Sequence, residues 1–103
     1  MANQLVFSAL ADPTRRHIFE GLRSGPRTVS EISSVQPVSR PAVSQHLKVL
    51  QQAGLVQVEP RGTRRFYFIR REGLAELRTY LDSFWSDVLS AYSAEIHRNS
   101  GDN

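Results

Sequence analysis

Two short helical segments separated by a tight break constrain this fold more than any other feature of the chain. Thr28-Val29-Ser30-Glu31 has the form of a capping box and opens a helix that ends near Val35. Gln36-Pro37-Val38-Ser39 forms the break, and its last residue can cap a second helix, Arg40 to about Ala53. Gly54 supplies the left-handed stop. Two helices joined by so few residues have the dimensions of a helix-turn-helix.

The second helix of this pair carries an apolar stripe and an opposite face of neutral and basic side chains. Val43, Leu47 and Leu50 stand at i, i+4 and i+7 and predict the buried stripe. The residues opposite the stripe or at its edges are Arg40, Pro41, Ser44, Gln45, Lys48, Gln51 and Gln52. None of them is acidic, whereas a solvated helix normally includes Asp or Glu. Because phosphate repels carboxylates, this face favours DNA readout, with an ordinary surface helix as the alternative.

The chemistry of this face assigns roles to its residues. Arg40 can bind guanine through its two-pronged guanidinium, or hold a phosphate beside the helix N-terminus. Gln45 can bond adenine, and Ser44 can serve a base edge or a phosphate. Lys48, one turn later, is assigned to the DNA backbone. His46 lies about 60° from the centre of the stripe, so we expect it to be packed and hydrogen-bonded within the protein.

The charge is unevenly distributed along the 103 residues. The chain has 13 Lys and Arg against 10 Asp and Glu, a formal net charge of +3. Residues 1–71 carry 11 basic and 4 acidic residues, and residues 72–103 carry 2 and 6. Twelve of the 13 basic residues are Arg, whose planar fork matches phosphate and guanine edges. This asymmetry predicts that the first two-thirds faces a polyanion; a solvated basic surface is the alternative.

Several stretches resemble the ArsR-type winged helix-turn-helix regulators. They are Asp12-Pro13-Thr14-Arg15-Arg16, VSRPAVSQHLKVL at 38–50, Ala53-Gly54-Leu55-Val56, and the wing-like Gly62-Thr63-Arg64-Arg65-Phe66-Tyr67. The resemblance covers roughly residues 5–96. It implies a mainly α winged helix-turn-helix fold with a small β-hairpin, in the order α-α-α-α-β-β-α. It also implies a dimeric transcriptional repressor whose fourth helix enters the major groove of double-stranded DNA. The DNA-binding residues expected on that helix are Ser39, Arg40, Pro41, Ser44, Gln45 and Lys48.

The chain departs from the family pattern at Gln36, where such regulators usually place an apolar residue under the turn. Val35 is the candidate to take that place. We predict a single domain at 1–98, with its DNA-reading part at about 28–71 and dimerisation helices at about 3–11 and 72–97. Residues 99–103 are predicted to be a disordered tail.

The predicted hairpin consists of Leu55–Glu59 and Arg64–Ile69, joined by residues 60–63, and is rich in arginine. Side chains alternate between the two faces of a strand, so Arg65, Tyr67 and Ile69 share one face. Arg64, Phe66 and Phe68 lie on the other. The apolar side, with Val56 and Val58, is expected to pack on the helices. A glycine turn beside arginines can reach the minor groove or the flanking phosphates. The predicted wing contacts are Arg61, Thr63, Arg64 and Arg65, and a charged edge that prevents strand mispairing is the alternative.

The last helix is apolar over more of its surface than one small core can cover. One seam contains Leu74, Leu77, Leu81, Phe84, Val88 and Ala91, and a second set contains Tyr80, Trp85, Leu89, Tyr92 and Ile96. We therefore predict a homodimer with Leu5, Leu77, Leu81, Phe84, Trp85, Val88 and Tyr92 in its interface. A monomer that closes its own core is the alternative, and the aromatic residues are also candidates for an effector pocket.

Other features argue against several protein classes. The chain has no Cys, and His17, His46 and His97 lie on separate elements, so we expect no metal and no cofactor. The side chains of Ser44 and His46 point in different directions around a helix, so they cannot form a nucleophile–base pair, and no glycine-rich phosphate loop is present. We therefore expect that the protein is not an enzyme. With no membrane span and no signal peptide, a cytoplasmic protein is predicted. A winged helix used as a protein-interaction module is the main competitor; it predicts a mixed-charge or apolar fourth helix.

Overall fold

The computed structural model describes the backbone of residues 2–101 and the side chains of residues 3–97. Its elements are α1 (Ala2–Ala11), α2 (Pro13–Gly21), a 3₁₀ turn (Leu22–Ser24), α3 (Val29–Val35), α4 (Arg40–Gln52), β1 (Val56–Arg61), β2 (Arg64–Ile69) and α5 (Arg71–Gly101). The two strands form an antiparallel hairpin. The mainly helical fold and its element order are therefore confirmed.

Three helices begin at side-chain caps, and those at Thr28 and Ser39 were predicted from the sequence. Asp12 caps α2 by accepting the backbone N–H three residues later at 3.0 Å. Thr28 and Glu31 form the reciprocal capping box of α3, with the Thr28 N–H donating to the Glu31 carboxylate at 2.9 Å. Ser39 caps α4 through the N–H of Ala42 at 3.3 Å. Each cap pairs an otherwise free helix N–H and contributes about 1 kcal/mol.

The core lies between α1–α4 and the inner face of the hairpin. Its buried residues are Val6, Ala9, Ile18, Leu22, Ile32, Val43, Leu47, Leu50, Ala53, Leu55, Val56 and Tyr67. The predicted α4 stripe is thus buried, which fixes the opposite face of that helix towards solvent. Val58 and Ile69 pack against the core beside Val56 and Tyr67, so the predicted inner face of the hairpin is confirmed.

The turn between α3 and α4 is packed differently from the prediction. Val35 does not replace the expected apolar residue under the turn, because its side chain is 67% exposed. Val38, three residues later, packs against the core instead. α3 ends at Gln36, where the chain becomes extended. The next apolar side chain that reaches the core is therefore that of Val38, between the two helices.

The hairpin loop is shorter than the predicted residues 60–63. β1 continues through Pro60 to Arg61, which pairs with Arg64, so only Gly62-Thr63 remains as the loop. Gly62 has a φ of 64°, the left-handed conformation that glycine adopts at the first position of a two-residue hairpin loop.

Pro60 is tolerated because it occupies a non-hydrogen-bonded position of the ladder, as the bonds of β2 to its other neighbour show. Arg27 and Tyr67 exchange two backbone hydrogen bonds of 2.9 and 2.7 Å on the edge of β2 away from β1. Tyr67 therefore makes no ladder bond to Val58, its partner in β1. Bonded and non-bonded pairs alternate in an antiparallel ladder, so the pair of Pro60 and Arg65 is also a non-bonded one. The missing N–H of Pro60 costs no ladder bond, and the strand runs past it.

Helix α5 is longer than predicted and stands largely clear of the core. It has 31 residues, about 46 Å, and gives the molecule extents of 70 × 25 × 25 Å. The helix continues through Gly101, into the segment predicted to be a disordered tail; residues 102–103 lie outside the described residues, and the disordered tail remains a prediction. Among the described helices, none is long and apolar enough to cross a membrane.

Leu77 is less exposed than the other residues predicted for the dimer interface, and its place in that interface remains a prediction. It is half-buried against the protomer's own core, because it lies early in α5 where the helix still covers α1. From Arg78 to His97 every side chain of α5 is exposed.

Candidate nucleic-acid interface

Helix α4 presents one continuous polar face to solvent. The six residues predicted for this region, Ser39, Arg40, Pro41, Ser44, Gln45 and Lys48, are all exposed. Val43, Leu47 and Leu50 anchor the other side and are completely buried. The face therefore offers hydroxyl, amide and basic groups on a rigid helix whose N-terminal N–H groups add partial positive charge.

The hairpin stands beside this face and forms a groove with it. The groove has a volume of about 530 Å³, and its lining residues are Thr28, Val29, Ser30, Glu31, Ser44, Thr63, Arg64, Arg65 and Tyr67. Ser44 from α4 thus comes together with Thr63, Arg64 and Arg65 from the wing, as the two predicted sets require. The start of α3, residues 28–31, also lines this groove, although it was not predicted to belong to the DNA-binding surface.

Arg27 ties the wing to the helix-turn-helix. Its two backbone bonds to Tyr67 make residue 27 a short third strand beside β2, directly before the cap of α3. Its side chain donates to the Ser24 hydroxyl at 3.3 Å. The proline at position 26 and the extended run into the capping box were the sequence signals for this strand, but one residue pair is too short to predict from a pattern.

Glu31 is the acidic side chain in this groove, and its charge is held by the capping box. Hydrogen bonds from the backbone N–H and hydroxyl of Thr28 lower the pKa of the Glu31 carboxyl, and the charges of Arg27 and Arg64 lower it further. The carboxylate is therefore ionised but already paired, and basic side chains surround it.

The wing arginines fall into two groups. Arg61 lies 3.2 Å from the Glu59 carboxylate and stacks over the Phe66 ring at 4.9 Å from its centroid, so it folds back on the outer face of the hairpin. Arg64 and Arg65 line the groove, and in the described part of the chain neither forms an ion pair with Asp or Glu. The sequence placed Arg61 at the wing tip but did not predict its local partners.

A second surface consists of exposed apolar side chains on α1 and α5. On α5 the exposed large hydrophobic residues are Leu74, Tyr80, Leu81, Phe84, Trp85, Val88, Leu89, Tyr92 and Ile96, and α1 adds Leu5 and Phe7. Phe7 and Tyr80 pack edge to face with centroids 5.5 Å apart, which joins the two helices into one surface. With the exception of Leu77, the residues predicted for the dimer interface lie on it. Such a large apolar area is typical of a protein–protein interface.

A metal site would need several ligating side chains close together. Within residues 3–97 no group of three or more His, Asp or Glu side chains is placed to hold a metal ion.

The fold and the basic, polar face beside a wing define a winged helix-turn-helix DNA-binding protein. The family model described as bacterial regulatory protein, arsR family, matches residues 12–58. The HTH-type transcriptional regulator Rv2034 of Mycobacterium tuberculosis is 54% identical over 96 residues, which are 93% of this chain and 89% of that protein. This chain belongs to the ArsR family of transcriptional regulators.

Two further proteins extend the comparison. The transcriptional repressor SdpR of Bacillus subtilis is 32% identical over 79 residues, covering 77% of this chain and 88% of SdpR. The solution structure of a homodimeric winged helix-turn-helix DNA-binding domain from Mycobacterium bovis, a possible ArsR-family regulator, superimposes with a TM-score of 0.68. It is 29% identical and covers 84% of this chain and 80% of that one. The family and these relatives are DNA-binding regulators of transcription rather than enzymes.

Proposed function

We propose that this protein is a homodimeric transcriptional repressor. It would read a palindromic operator with α4 and contact the flanking DNA backbone with the wing. The observation that carries the proposal is the groove in which Ser44 of α4 faces Thr63, Arg64 and Arg65 of the hairpin. A helix with an uncharged-to-basic outer face fits the major groove, and the neighbouring arginines match phosphates or a narrow minor groove.

The residues on α4 divide into base-reading and backbone-binding groups. Arg40 and Gln45 are suited to guanine and adenine edges, and Ser44 to a base edge or phosphate. Lys48 lies farther along the helix and is suited to the backbone, as is Arg64 in the wing.

Dimerisation through α1 and α5 accounts for the exposed apolar surface and for a palindromic site. The homodimeric relative from M. bovis supports this arrangement. Isologous pairing places two recognition helices about 34 Å apart, one turn of DNA. The two half-sites then follow the two-fold symmetry of the protein.

The repressor role is supported by SdpR, which is named a transcriptional repressor. Blocking a promoter needs only a bound dimer, so the proposal requires no cofactor. A bacterial regulator of this family acts in the cytoplasm, where the chromosome lies.

Selection of bound duplexes from a random library by the purified protein tests the proposal. We expect enrichment of an inverted repeat with half-sites one turn apart. Fluorescence anisotropy on the selected duplex should show affinity falling by about 10³-fold or more between roughly 50 and 200 mM salt. Failure to bind any duplex at low salt would overturn the proposal and favour a protein-interaction module.

The division of roles is tested by two substitutions measured on operator variants. Arg40→Ala should relax discrimination at one base pair, at a cost of about 1–3 kcal/mol for the preferred base. Arg64→Ala should weaken binding to all sequences about equally and reduce the salt dependence. Equal losses across the variants for both substitutions would contradict the assignment.

A further inference from the structure

The guanidinium of Arg15 connects three helices. Its Nε donates to the carbonyl oxygen of Ala9 at 2.7 Å, and its Nη2 donates to that of Ser8 at 3.5 Å, so it caps the C-terminal end of α1. Its Nη1 lies 3.4 Å from Nδ1 of His46 on α4. Its backbone N–H is bound by the Asp12 carboxylate at the start of α2. The backbone and the guanidinium of Arg15 are thus both fixed by hydrogen bonds, and the guanidinium also contacts α4, the proposed recognition helix.

The contact with His46 depends on the tautomer of that imidazole. A guanidinium can only donate, so the contact is a hydrogen bond when Nδ1 of His46 accepts, with the ring proton on Nε2. His46 is half-buried on the side of α4 that faces α1 and α2, as expected from its angle to the buried stripe. It directly follows Gln45 and lies two residues after Ser44, both on the exposed face.

A directional bond at this position controls the rotation of α4 about its own axis. The apolar stripe holds the helix down, but aliphatic packing is non-directional and tolerates small rotations. A rotation of about 20° moves a side-chain tip about 6 Å from the axis by about 2 Å. That displacement is enough to break a bidentate contact with a base, whereas a flexible contact with phosphate survives it.

We propose that Arg15 is a positioning residue for sequence readout: through His46 it holds α4 at the rotation that presents Ser44 and Gln45 to the bases. Because the same guanidinium caps α1, it also ties the recognition helix to a helix of the dimer surface. This inference rests on the proposed DNA-binding function. It assigns Arg15 and His46 to specificity although neither lies on the exposed face of α4.

Arg16 provides a matched control for Arg15. Its Nη1 donates to the carbonyl oxygen of Leu10 at 3.0 Å, so it also caps α1, but it has no recorded bond to α4 within the described residues. Arg15→Ala and Arg16→Ala therefore remove the same charge and hydrogen bonds to the end of the same helix, two for Arg15 and one for Arg16, and Arg15→Ala also removes the bond to His46. At His46, Asn places an amide atom where Nδ1 stood and can still accept, whereas Leu cannot.

The readout is the ratio of affinities for the selected duplex and a scrambled duplex of equal composition at one salt concentration. We expect Arg15→Ala and His46→Leu to lower this ratio about tenfold while binding to the scrambled duplex changes little beyond the loss of charge. Arg16→Ala and His46→Asn should keep most of the ratio. Circular dichroism and thermal unfolding establish that each variant is folded before its ratio is compared.

Nitrogen NMR of the imidazole tests the contact without DNA. In the unmodified protein the ring proton of His46 should lie on Nε2, and Arg15→Ala should shift the tautomer equilibrium. A proton on Nδ1 in the unmodified protein, or equal affinity ratios for Arg15→Ala and Arg16→Ala, would overturn this inference alone. Failure of the unmodified protein to bind any duplex would overturn the proposed function as well.

Discussion

Individual wing residues are tuned by their neighbours on the hairpin. Arg61 and Arg64 are paired directly across the loop, yet Arg61 is held by Glu59 and Phe66 while Arg64 lines the groove. An exposed ion pair of this kind is worth at most about 1 kcal/mol, so a phosphate can displace it. If the wing contacts DNA as proposed, we therefore expect Glu59 to lower its affinity without preventing binding.

Glu59→Gln should strengthen DNA binding by about two- to fivefold at low salt, because it removes a negative charge and frees Arg61 for phosphate. Fluorescence anisotropy at two salt concentrations measures the change, which should shrink as salt rises. Glu20→Gln is the matched control: Glu20 pairs with Arg23 at 3.5 Å on the exposed side of α2 and the adjoining turn, and it does not line the groove. Equal gains for both variants would indicate a general charge effect.

The contact between Gly54 and Gly73 is the second residue-scale constraint. Gly54, with a φ of 77°, ends α4 in a Schellman motif, in which the N–H of Leu55 bonds to the carbonyl of Leu50 at 3.0 Å. Gly73 in the first turn of α5 packs on the Gly54 carbonyl so closely that a Cβ there would overlap with it. Arg70 donates to the same carbonyl at 3.3 Å.

Gly73→Ala should lower the free energy of unfolding by about 3 kcal/mol or more, because backbone atoms on both sides must move to admit the methyl group. Gly21→Ala is the control: it lies at the end of α2 with nothing within 4 Å of the added Cβ, and should be neutral or stabilising by up to about 1 kcal/mol. Urea unfolding at fixed protein concentration measures both. A change below about 1 kcal/mol for Gly73→Ala would show that α5 can shift away from α4.

At the scale of elements, local sequence signals were sufficient wherever a side chain acts on its own backbone. The caps at Asp12, Thr28 and Ser39 and the stop at Gly54 placed the helix starts and the end of α4 within about one residue. The errors arose where a neighbouring element decides the outcome. Pro60 continues in β1 because its pair with Arg65 is a non-hydrogen-bonded one, and this depends on the register with β2, which the residues of β1 alone do not specify.

The same distinction between local and tertiary signals applies to the candidate site. The outer face of α4 was predictable because the buried stripe determines which side chains of the helix face solvent. The role of Thr28–Glu31 in lining the groove, and the bond from Arg15 to His46, were not predictable because each depends on how separate elements pack. The partial burial of Leu77 in its own protomer was not predictable for the same reason: periodicity identifies an apolar position, but not which surface packs on it.

The helix caps make stability dependent on pH in the acid range. The pKa of Asp12 is lowered mainly by the backbone N–H of Arg15, and that of Glu31 by Thr28, so the folded state binds fewer protons than the unfolded one. Their stabilisation is present above the unfolded pKa values of about 4 and is lost as pH falls through the lowered folded values. Glu31→Gln preserves a capping side chain but does not titrate.

The free energy of unfolding of Glu31→Gln should therefore decline less steeply than that of the unmodified protein as pH falls below about 5. Urea unfolding midpoints across this range, at fixed protein concentration, give the slopes. Glu76→Gln, on the exposed part of α5, removes a carboxylate that caps no helix and controls for net charge. Identical slopes for the two variants would contradict the assigned role of the capping box.

On the scale of the whole molecule, charge and apolar surface are segregated. The basic residues concentrate in the segment that contains α4 and the wing, whereas residues 72–103 carry a net charge of −4 and the largest exposed apolar surface. Because DNA repels an acidic helix, the proposed complex would place α5 away from the duplex, where it could pair with a second copy. The net charge of +3 is therefore the sum of a basic segment and an acidic one, for which we propose different partners.

If this segregation reflects a dimer, breaking α5 pairing should weaken DNA binding without changing what each α4 reads. Trp85 is 62% exposed, so Trp85→Asp can be made without disturbing the protomer core, yet it places a charge in the apolar surface. We expect a monomer in sedimentation at micromolar concentration. Affinity for the full palindrome should fall about 10²-fold or more, because the two half-sites no longer act at a shared effective concentration.

Ser86→Asp supplies the comparison that separates dimerisation from charge. It adds the same charge one residue away, about 100° around the helix and outside the apolar surface, so it should remain dimeric and bind the palindrome nearly as the unmodified protein does. Both variants should bind a duplex with a single half-site equally, since α4 and the wing are unchanged. If Trp85→Asp is monomeric yet binds the palindrome with undiminished affinity, each protomer reads DNA independently, and the palindromic arrangement is wrong.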